Sequence, residues 1–264
     1  MMAAYKNPIP SVESPENIIK HDVKFDENEY TAKESVYFAF IDVLGFKKAF
    51  DDNRQTNNDA KDDKFAEKFK EVFKYYFSLM SSANFAKTEK PLCYAGQTSD
   101  SLYFYTEREV ILFEFLKIFS HFNAYAMTQD VFFRGGIAKG NLFCKQDYQF
   151  YGESVIYAYL LESEISKNPI IMIDEKTYKA MESSLERDSL VKEKNGRYYL
   201  RPFAFLKHKF DLDIDEPSIK VREIDQKLLQ YTIEQNKSKF EYDARNYEKY
   251  VFLLNEYDEY KVNS

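Results

Sequence analysis

Every position from Val36 to Val43 except Asp42 is apolar or aromatic, so this run predicts a central strand buried on both faces. Gly45 ends it. Residues 46–51 can open a helix and 52–63 form a charged Asn/Asp/Lys loop. Phe65, Phe69, Val72, Phe73, Tyr76 and Leu79 then recur at helical spacing over 64–80. Residues 91–95 and 100–106 read as two strands joined around Gly96, followed by an apolar helix from Val110 to about Met127. Val131 to Ala138 and Leu142 to Cys144 read as another strand pair across a Lys139-Gly140-Asn141 turn. A helix over 152–166 and a strand Ile170 to Ile173 after Pro169 complete this part. The tail places Ile224, Leu228 and Tyr231, then Phe240, Tyr247, Tyr250, Val251 and Leu254, at helical intervals, which predicts a terminal helical hairpin. The alternation of strands, hairpins and helices predicts an α+β fold, a sheet covered by helices on one side. Three parts follow: a polar arm over 1–34 with Pro8, Pro10 and Pro15, a single domain over 35–215, and a C-terminal helical extension over 216–264.

Composition narrows the class. A chain of 264 residues with 44% hydrophobic and 17% aromatic content can bury a sizeable core. The start lacks the basic stretch and apolar run of a secretory signal, and no segment approaches the ~18 apolar residues a bilayer span needs, so the expectation is a soluble cytoplasmic protein. Cys93 and Cys144 are too few for a disulfide framework and read as reduced core residues. With 37 basic and 44 acidic residues the net charge is −7. A nucleic-acid binder would need a local basic stripe, and no dense Lys/Arg run occurs. An anionic substrate would have to be held through metal ions, backbone amides and a few placed cations.

Six of the seven glycines lie between Gly45 and Gly152, each beside a segment that carries chemistry. In FIDVLGF, residues 40–46, a buried strand delivers Asp42 to its end and the chain turns through Val43, Leu44 and Gly45 into Phe46. Asp42 there is either a turn-former or a ligand for Mg²⁺ or Mn²⁺, with the turn amides facing a phosphate. In TSDSLYFY, residues 98–105, Asp100 either caps a hairpin with its own backbone or joins Asp42 in binding metal. Two such acids side by side suit in-line phosphoryl chemistry. In FRGGIAKGNLF, residues 133–143, Arg134 and Lys139 either neutralise phosphate or belong to a hairpin whose glycines admit a close helix. In YGESVIYAYLLE, residues 151–162, Gly152 precedes a helix with Glu153 in its first turn. None of His21, His121 and His208 sits with a Ser or Cys in a nucleophile arrangement, and there is no Gly-Lys-Ser/Thr loop, so triads, zinc sites and P-loops are poor readings.

In order and spacing these four motifs resemble the class III nucleotidyl cyclase catalytic domain, and more closely the bacterial pyrimidine (uridylate or cytidylate) cyclases of Pycsar anti-phage systems. The resemblance covers roughly residues 36–173. It implies a ferredoxin-like palm with extra C-terminal helices, and a head-to-tail homodimer with active sites shared at its interface. It further implies conversion of a nucleoside triphosphate to a 3′,5′-cyclic monophosphate plus pyrophosphate, with a product that acts on a separate effector protein. Asp42 and Asp100, with the Val43 backbone, would hold two Mg²⁺ or Mn²⁺ ions, and Leu44, Gly45 and Phe46 would face the phosphates. Purine cyclases place a transition-state Asn and Arg where this chain has Ile156 and Leu160, so Arg134 or Lys139, in part from the partner, would fill that role. The stretches matching the purine-reading positions, Tyr94 to Thr98 and Gln149 to Tyr151, carry no charge. Gln97, Thr98, Gln149 and Tyr151 either read a pyrimidine edge or only pack the hairpin and the helix start; UTP is expected ahead of CTP. The alternatives are an adenylate or guanylate cyclase and a degenerate, cyclase-like nucleotide sensor without turnover.

Overall fold

The computed structural model describes residues 30–46, 64–83, 93–145, 149–181, 185–208 and 221–262. Most of the expected N-terminal arm, the helix opening at 47–51, the loop at 52–63, His21 and the 215/216 boundary lie outside the described residues.

Strand β1, Thr31–Val43, lies at the centre of one sheet and starts earlier than the apolar run suggests. Its first residues pair with β4 across a register shift between Lys33 and Val36, where Ser35 takes a φ of 60°. Helix α1 spans Lys64–Ser82, strands β2 and β3 span Cys93–Thr98 and Ser101–Thr106, helix α2 spans Glu109–Thr128, and β4 spans Phe133–Lys145. Strand β3 pairs antiparallel with both β1 and β2, and β4 pairs antiparallel with the other side of β1. The spatial order β2-β3-β1-β4 with helices in the two crossovers is the ferredoxin-like interlocked βαββαβ arrangement. Beyond it come β5 (Gln149–Tyr151), helix α3 (Glu153–Leu160), β6 (Ile171–Ile173), α4 (Glu175–Ala180), α5 (Leu185–Leu190), β7 (Val191–Lys194), β8 (Arg197–Leu200) and α6 (Ala204–His208). Strands β6, β8 and β7 extend the sheet past β4, the β4–β6 pair being parallel.

Alternation along β1 sorts the core into two layers. Tyr37, Ala39, Ile41 and Val43 face α1 and α2, meeting Val72, Phe73, Tyr76, Leu112, Phe115 and Phe119. Val36 and Phe38 face the other way, against Ala138, Leu142 and Ala158 of α3. The sheet is therefore covered on both faces, not on one. The missed layer is the short α3, which seats because the sequence clears space for it. A Cβ on Gly136 would lie 2.2 Å from the Ala158 carbonyl oxygen and 2.5 Å from Leu161 Cβ.

Two expected turns are strand positions instead. The β2–β3 turn is at Ser99 and Asp100, with Ser99 at φ 56°, while Gly96 sits opposite Tyr103, whose ring occupies the space of a Cβ. Strand β4 runs unbroken through Lys139-Gly140-Asn141. Lys139 is paired with Tyr37 and its Nζ lies 4.7 Å from that ring, and Gly140 admits Ser154 and Glu153 of α3.

The tail is the expected hairpin, α7 over Gln226–Lys239 and α8 over Ala244–Val262. Its buried stripe differs from the expected one: Leu229, Thr232, Ile233 and Asn236 face inward, while Leu228 and Tyr231 are exposed. With Tyr250, Leu253 and Tyr257, this stripe forms a second core against Met127, Phe132 and Phe203.

Candidate active site

The ladder brings the first two acids together. Asp42 is the last polar position on the α3 face of β1, paired with Ser101 on one side and Arg134 on the other, and Asp100 occupies the turn immediately before Ser101. Ser101 Oγ donates to Asp42 Oδ1 at 3.0 Å. The Asp42 carboxyl is held above the usual carboxylate range, first by burial and then by the charge of Asp100. The Ser101 hydroxyl, the Arg134 guanidinium and the Val43 N–H oppose this.

Arg134 stands between two carboxylates. Its Nη2 is 4.0 Å from Asp42 Oδ2, and its Nε is 2.6 Å from Glu162 Oε1. The second contact is an ion pair whose atoms are not aligned as a hydrogen bond. The Glu162 side chain is 4% exposed. Burial raises its pKa, Arg134 opposes that, and Asp42 and Asp100 push it further up. Glu162 reaches this place because α3 passes into a π-helical turn, Leu161–Ile165, directly after its contact with Gly136. Single π turns recur where a side chain is re-aimed at a functional site. The sequence reading missed Glu162; a Glu in a helix carries no mark of burial.

The turn after β1 is partly committed. The Leu44 N–H donates to the Phe132 carbonyl at 2.8 Å as the last rung toward β4, and the Val43 N–H serves Asp42. Both N–H groups are thus engaged within the chain. Gly45, at φ 79° with open space around its Cα, is the turn position best shaped for a ligand to approach. The Phe46 ring packs on Phe69, 4.9 Å between centroids.

The other expected site residues divide between this cluster and distant positions. Lys139 projects from the opposite face of β4 to Arg134, and its Nζ is 3.2 Å from the Tyr37 hydroxyl, so within one chain it is not part of the Asp42 cluster. Gln97 and Thr98 lie beside Asp100, where the Gln97 amide donates to the Ser99 carbonyl at 2.7 Å. Gln149 and Tyr151 pair with β4 at Lys145 and Phe143. The run from Arg134 to Phe143 spans roughly 30 Å at ~3.3 Å per residue, so they do not meet Gln97 within one chain. There Tyr151 stacks on Phe143 at 4.8 Å, and Gln149 accepts from the Tyr30 hydroxyl at 3.3 Å. Ile156 is 58% exposed on α3 and offers no polar group.

Among the described residues, no group of three or more His, Cys, Asp and Glu side chains is placed to hold a metal ion. Asp42 and Asp100 nonetheless fit a hard divalent cation that keeps waters and shares its coordination with substrate phosphates, since such ions take one or two carboxylates from the protein. Their mutual repulsion, which raises the Asp42 pKa, is what such a cation would relieve. His121 is a core residue, 1% exposed and bonded to the Tyr75 hydroxyl at 2.8 Å. No described helix is long and apolar enough to cross a membrane.

No protein-family model and no curated protein matches the chain. Among solved structures it is similar to the monomeric guanylyl cyclase domain of the RhoGC fusion protein from the aquatic fungus Blastocladiella emersonii, at 17% identity over 65% of this chain and 96% of that one, with a TM-score of 0.44. It is also similar to adenylate cyclases from Trypanosoma brucei in their monomeric state, at 14% identity over 64% of this chain and 90% of the other, with a TM-score of 0.44. The fold rests on this chain's own strand order and register: an interlocked βαββαβ sheet with two acids converging at one end of its central strands.

Proposed function

We propose that this chain is a nucleotidyl cyclase that converts a pyrimidine nucleoside triphosphate, UTP ahead of CTP, to its 3′,5′-cyclic monophosphate and pyrophosphate. The observation that carries the reading is the convergence of Asp42 and Asp100 at the end of β1 and the β2–β3 turn, with Arg134 beside them. Asp42 and Asp100 would hold two Mg²⁺ or Mn²⁺ ions. When bound, these supply acidification of the ribose 3′-hydroxyl and neutralisation of the leaving pyrophosphate. The Ser101 hydroxyl fixes the Asp42 rotamer. Arg134 is tethered by Glu162 through Nε, and its remaining N–H groups would serve the phosphates. Gly45 lets the phosphate chain approach the backbone.

The pyrimidine preference rests on the uncharged stretches at Gln97–Thr98 and Gln149–Tyr151. The separation of those stretches within one chain favours the homodimer, in which a partner's Gln149 and Tyr151 complete the site. The further role, a second messenger for a separate effector in antiviral defence, rests on the motif resemblance alone. A second reading, nucleotide binding without turnover, is favoured by the exposed Ile156 and by Leu160 at positions where purine cyclases carry polar groups. The experiment supplies each of the four ribonucleoside triphosphates separately with Mn²⁺ and identifies products by mass, with pyrophosphate release measured alongside. Cyclic UMP or CMP is expected. Dominant cyclic AMP or GMP removes the pyrimidine assignment, and binding without pyrophosphate removes the enzyme.

A further inference from the structure

We propose that Lys249, carried by the appended helix α8 with Arg245 one turn before it, is a phosphate-binding residue of the Asp42–Asp100 site. The inference rests on the nucleotide reading of that site and gives the C-terminal helices a part in it.

Helix α8 is fixed against the site end of the sheet by the neighbour of Lys249. The buried Tyr250 ring meets Phe132 edge to face at 5.2 Å and stacks on Phe240 at 5.6 Å. Phe132 is the residue whose carbonyl holds the Leu44 N–H, and Leu44 packs against the same cluster. Phe252, three residues after Lys249, contacts Tyr199. The helix therefore runs from the turn after β1 toward the β6–β8 side of the sheet, and the side of it that holds Lys249 and Phe252 packs toward Ile170, whose carbonyl accepts from the N–H of Gly135, the residue after Arg134.

Cations outnumber acids there. Lys249 is half-buried, and Arg245 and Arg134 both lie within electrostatic range of its ammonium; its pKa falls, chiefly through burial and then through these two cations. Asp243 is the acid that offsets them, while Glu162 is engaged by Arg134. Lys249 Nζ donates to the neutral Asn246 Oδ1 at 2.8 Å, and Asn246 Nδ2 in turn donates to Asp243 Oδ2 at 2.6 Å. Drawing a lysine into a half-buried site beside two arginines is unfavourable unless an anion joins them. A polyphosphate held at Asp42 and Asp100 is such an anion. It also answers the shortage of cations that the sequence presents, with Leu160 standing where an arginine is expected and Lys139 on the other face.

The test is calorimetric titration of the full chain with inorganic tripolyphosphate and Mg²⁺, for wild type, Lys249→Gln, Lys249→Arg and Lys261→Gln, the last removing an equal charge near the far end of the same helix. Loss of one charge-assisted phosphate contact should weaken binding roughly ten- to a hundredfold in Lys249→Gln. Lys249→Arg should recover most of it, and Lys261→Gln should bind as wild type. Lys249→Gln should also raise KM for the triphosphate with its melting temperature unchanged. If Lys249→Gln binds tripolyphosphate as wild type does, or if wild type does not bind it, the inference is overturned. If Lys249 governs tripolyphosphate binding but no triphosphate is cyclised, the inference stands and the cyclase reading falls.

Discussion

Replacing Gly136 by alanine is the sharpest test of how the fold aims its site. The added Cβ would stand 2.2 Å from the Ala158 carbonyl oxygen and 2.5 Å from Leu161 Cβ, where an ordinary contact needs at least 3.4 Å. Both obstacles belong to the backbone or the Cβ of α3 and its π turn, so no flexible side chain can swing aside. The helix must lift from β4 by roughly an ångström, opening the layer around Ala138, Leu142 and Ala158. Overpacking of this kind costs about 1–3 kcal/mol, and with the lost contacts the upper part of that range applies. For a protein of this size that corresponds to a fall in melting temperature of roughly 5–10 °C. Gly196→Ala is the control. Its φ of +72° carries local strain but nothing lies within 4 Å, so the expected cost is about 1 kcal/mol and no functional loss. Thermal and urea denaturation measure both. Because α3 delivers Glu162 to Arg134, Gly136→Ala should also lower product formation at temperatures where the protein remains folded. If Gly136→Ala melts with wild type, the close seating of α3 on β4 is wrong, and so is the explanation of how Glu162 is positioned.

Asp42→Asn should abolish product, yet in EDTA it should melt at or slightly above wild type, because the carboxylate it removes is disfavoured by burial and by Asp100; a clear loss of stability would show the charge to be structural. Glu162→Gln should free Arg134 to close on Asp42 and compete with the cation, raising the Mn²⁺ concentration needed for half-maximal activity several-fold; an unchanged Mn²⁺ dependence refutes this. His121 has its pKa lowered from 6.5 to about 4 by burial, so the unfolded chain takes up a proton that the folded chain refuses. Stability is therefore full above about pH 6.5 and falls as the pH drops toward 4, by ~3 kcal/mol in all. Denaturation midpoints at several pH values, with His121→Gln removing that part of the slope, check the sign.

What the sequence disclosed and what it hid divide along physical lines. Strand β1 and helices α1 and α2 were legible because each buries its apolar positions in a contiguous core, so the pattern of Tyr37, Ala39 and Ile41 or of Val72, Tyr76 and Leu79 is the pattern of packing. Asp42 and Asp100 were legible as polar interruptions of such runs. Glycine misled. Gly96 and Gly140 look like turns, but their lack of a side chain serves the Tyr103 ring and the start of α3. Taking β4 as two strands then hid that Arg134 and Lys139, an odd number of positions apart on one continuous strand, must face opposite ways. In the tail, Leu228 and Tyr231 fit a helical stripe as well as Leu229 and Ile233 do, and only contact with Met127 and Phe132 selects between them. Glu162 and Lys249 were illegible in principle, since their meaning comes from tertiary neighbours far along the chain.

On the proposed function, those neighbours account for how an acidic chain holds a polyanion. Had Arg134 been free to pair with Asp42 alone, the two charges would satisfy one another and leave neither a cation site nor a phosphate site. Instead the guanidinium is drawn to Glu162 at 2.6 Å and stands at 4.0 Å from Asp42. Coulomb energy falls with distance and with screening, and Asp42 is more exposed than Glu162, so the nearer and more buried partner takes most of the interaction. Asp42 is left under-neutralised beside Asp100, and Lys249 stands half-buried among Arg134 and Arg245 with Asp243 as the offsetting acid. An excess of negative charge and an excess of positive charge thus lie next to each other at one end of the sheet, each unfavourable alone. A metal-bound triphosphate carries the complementary pair, cation against the acids and phosphate oxygens against the bases. The buried glutamate, silent in the sequence, is what keeps the two halves of the site from cancelling.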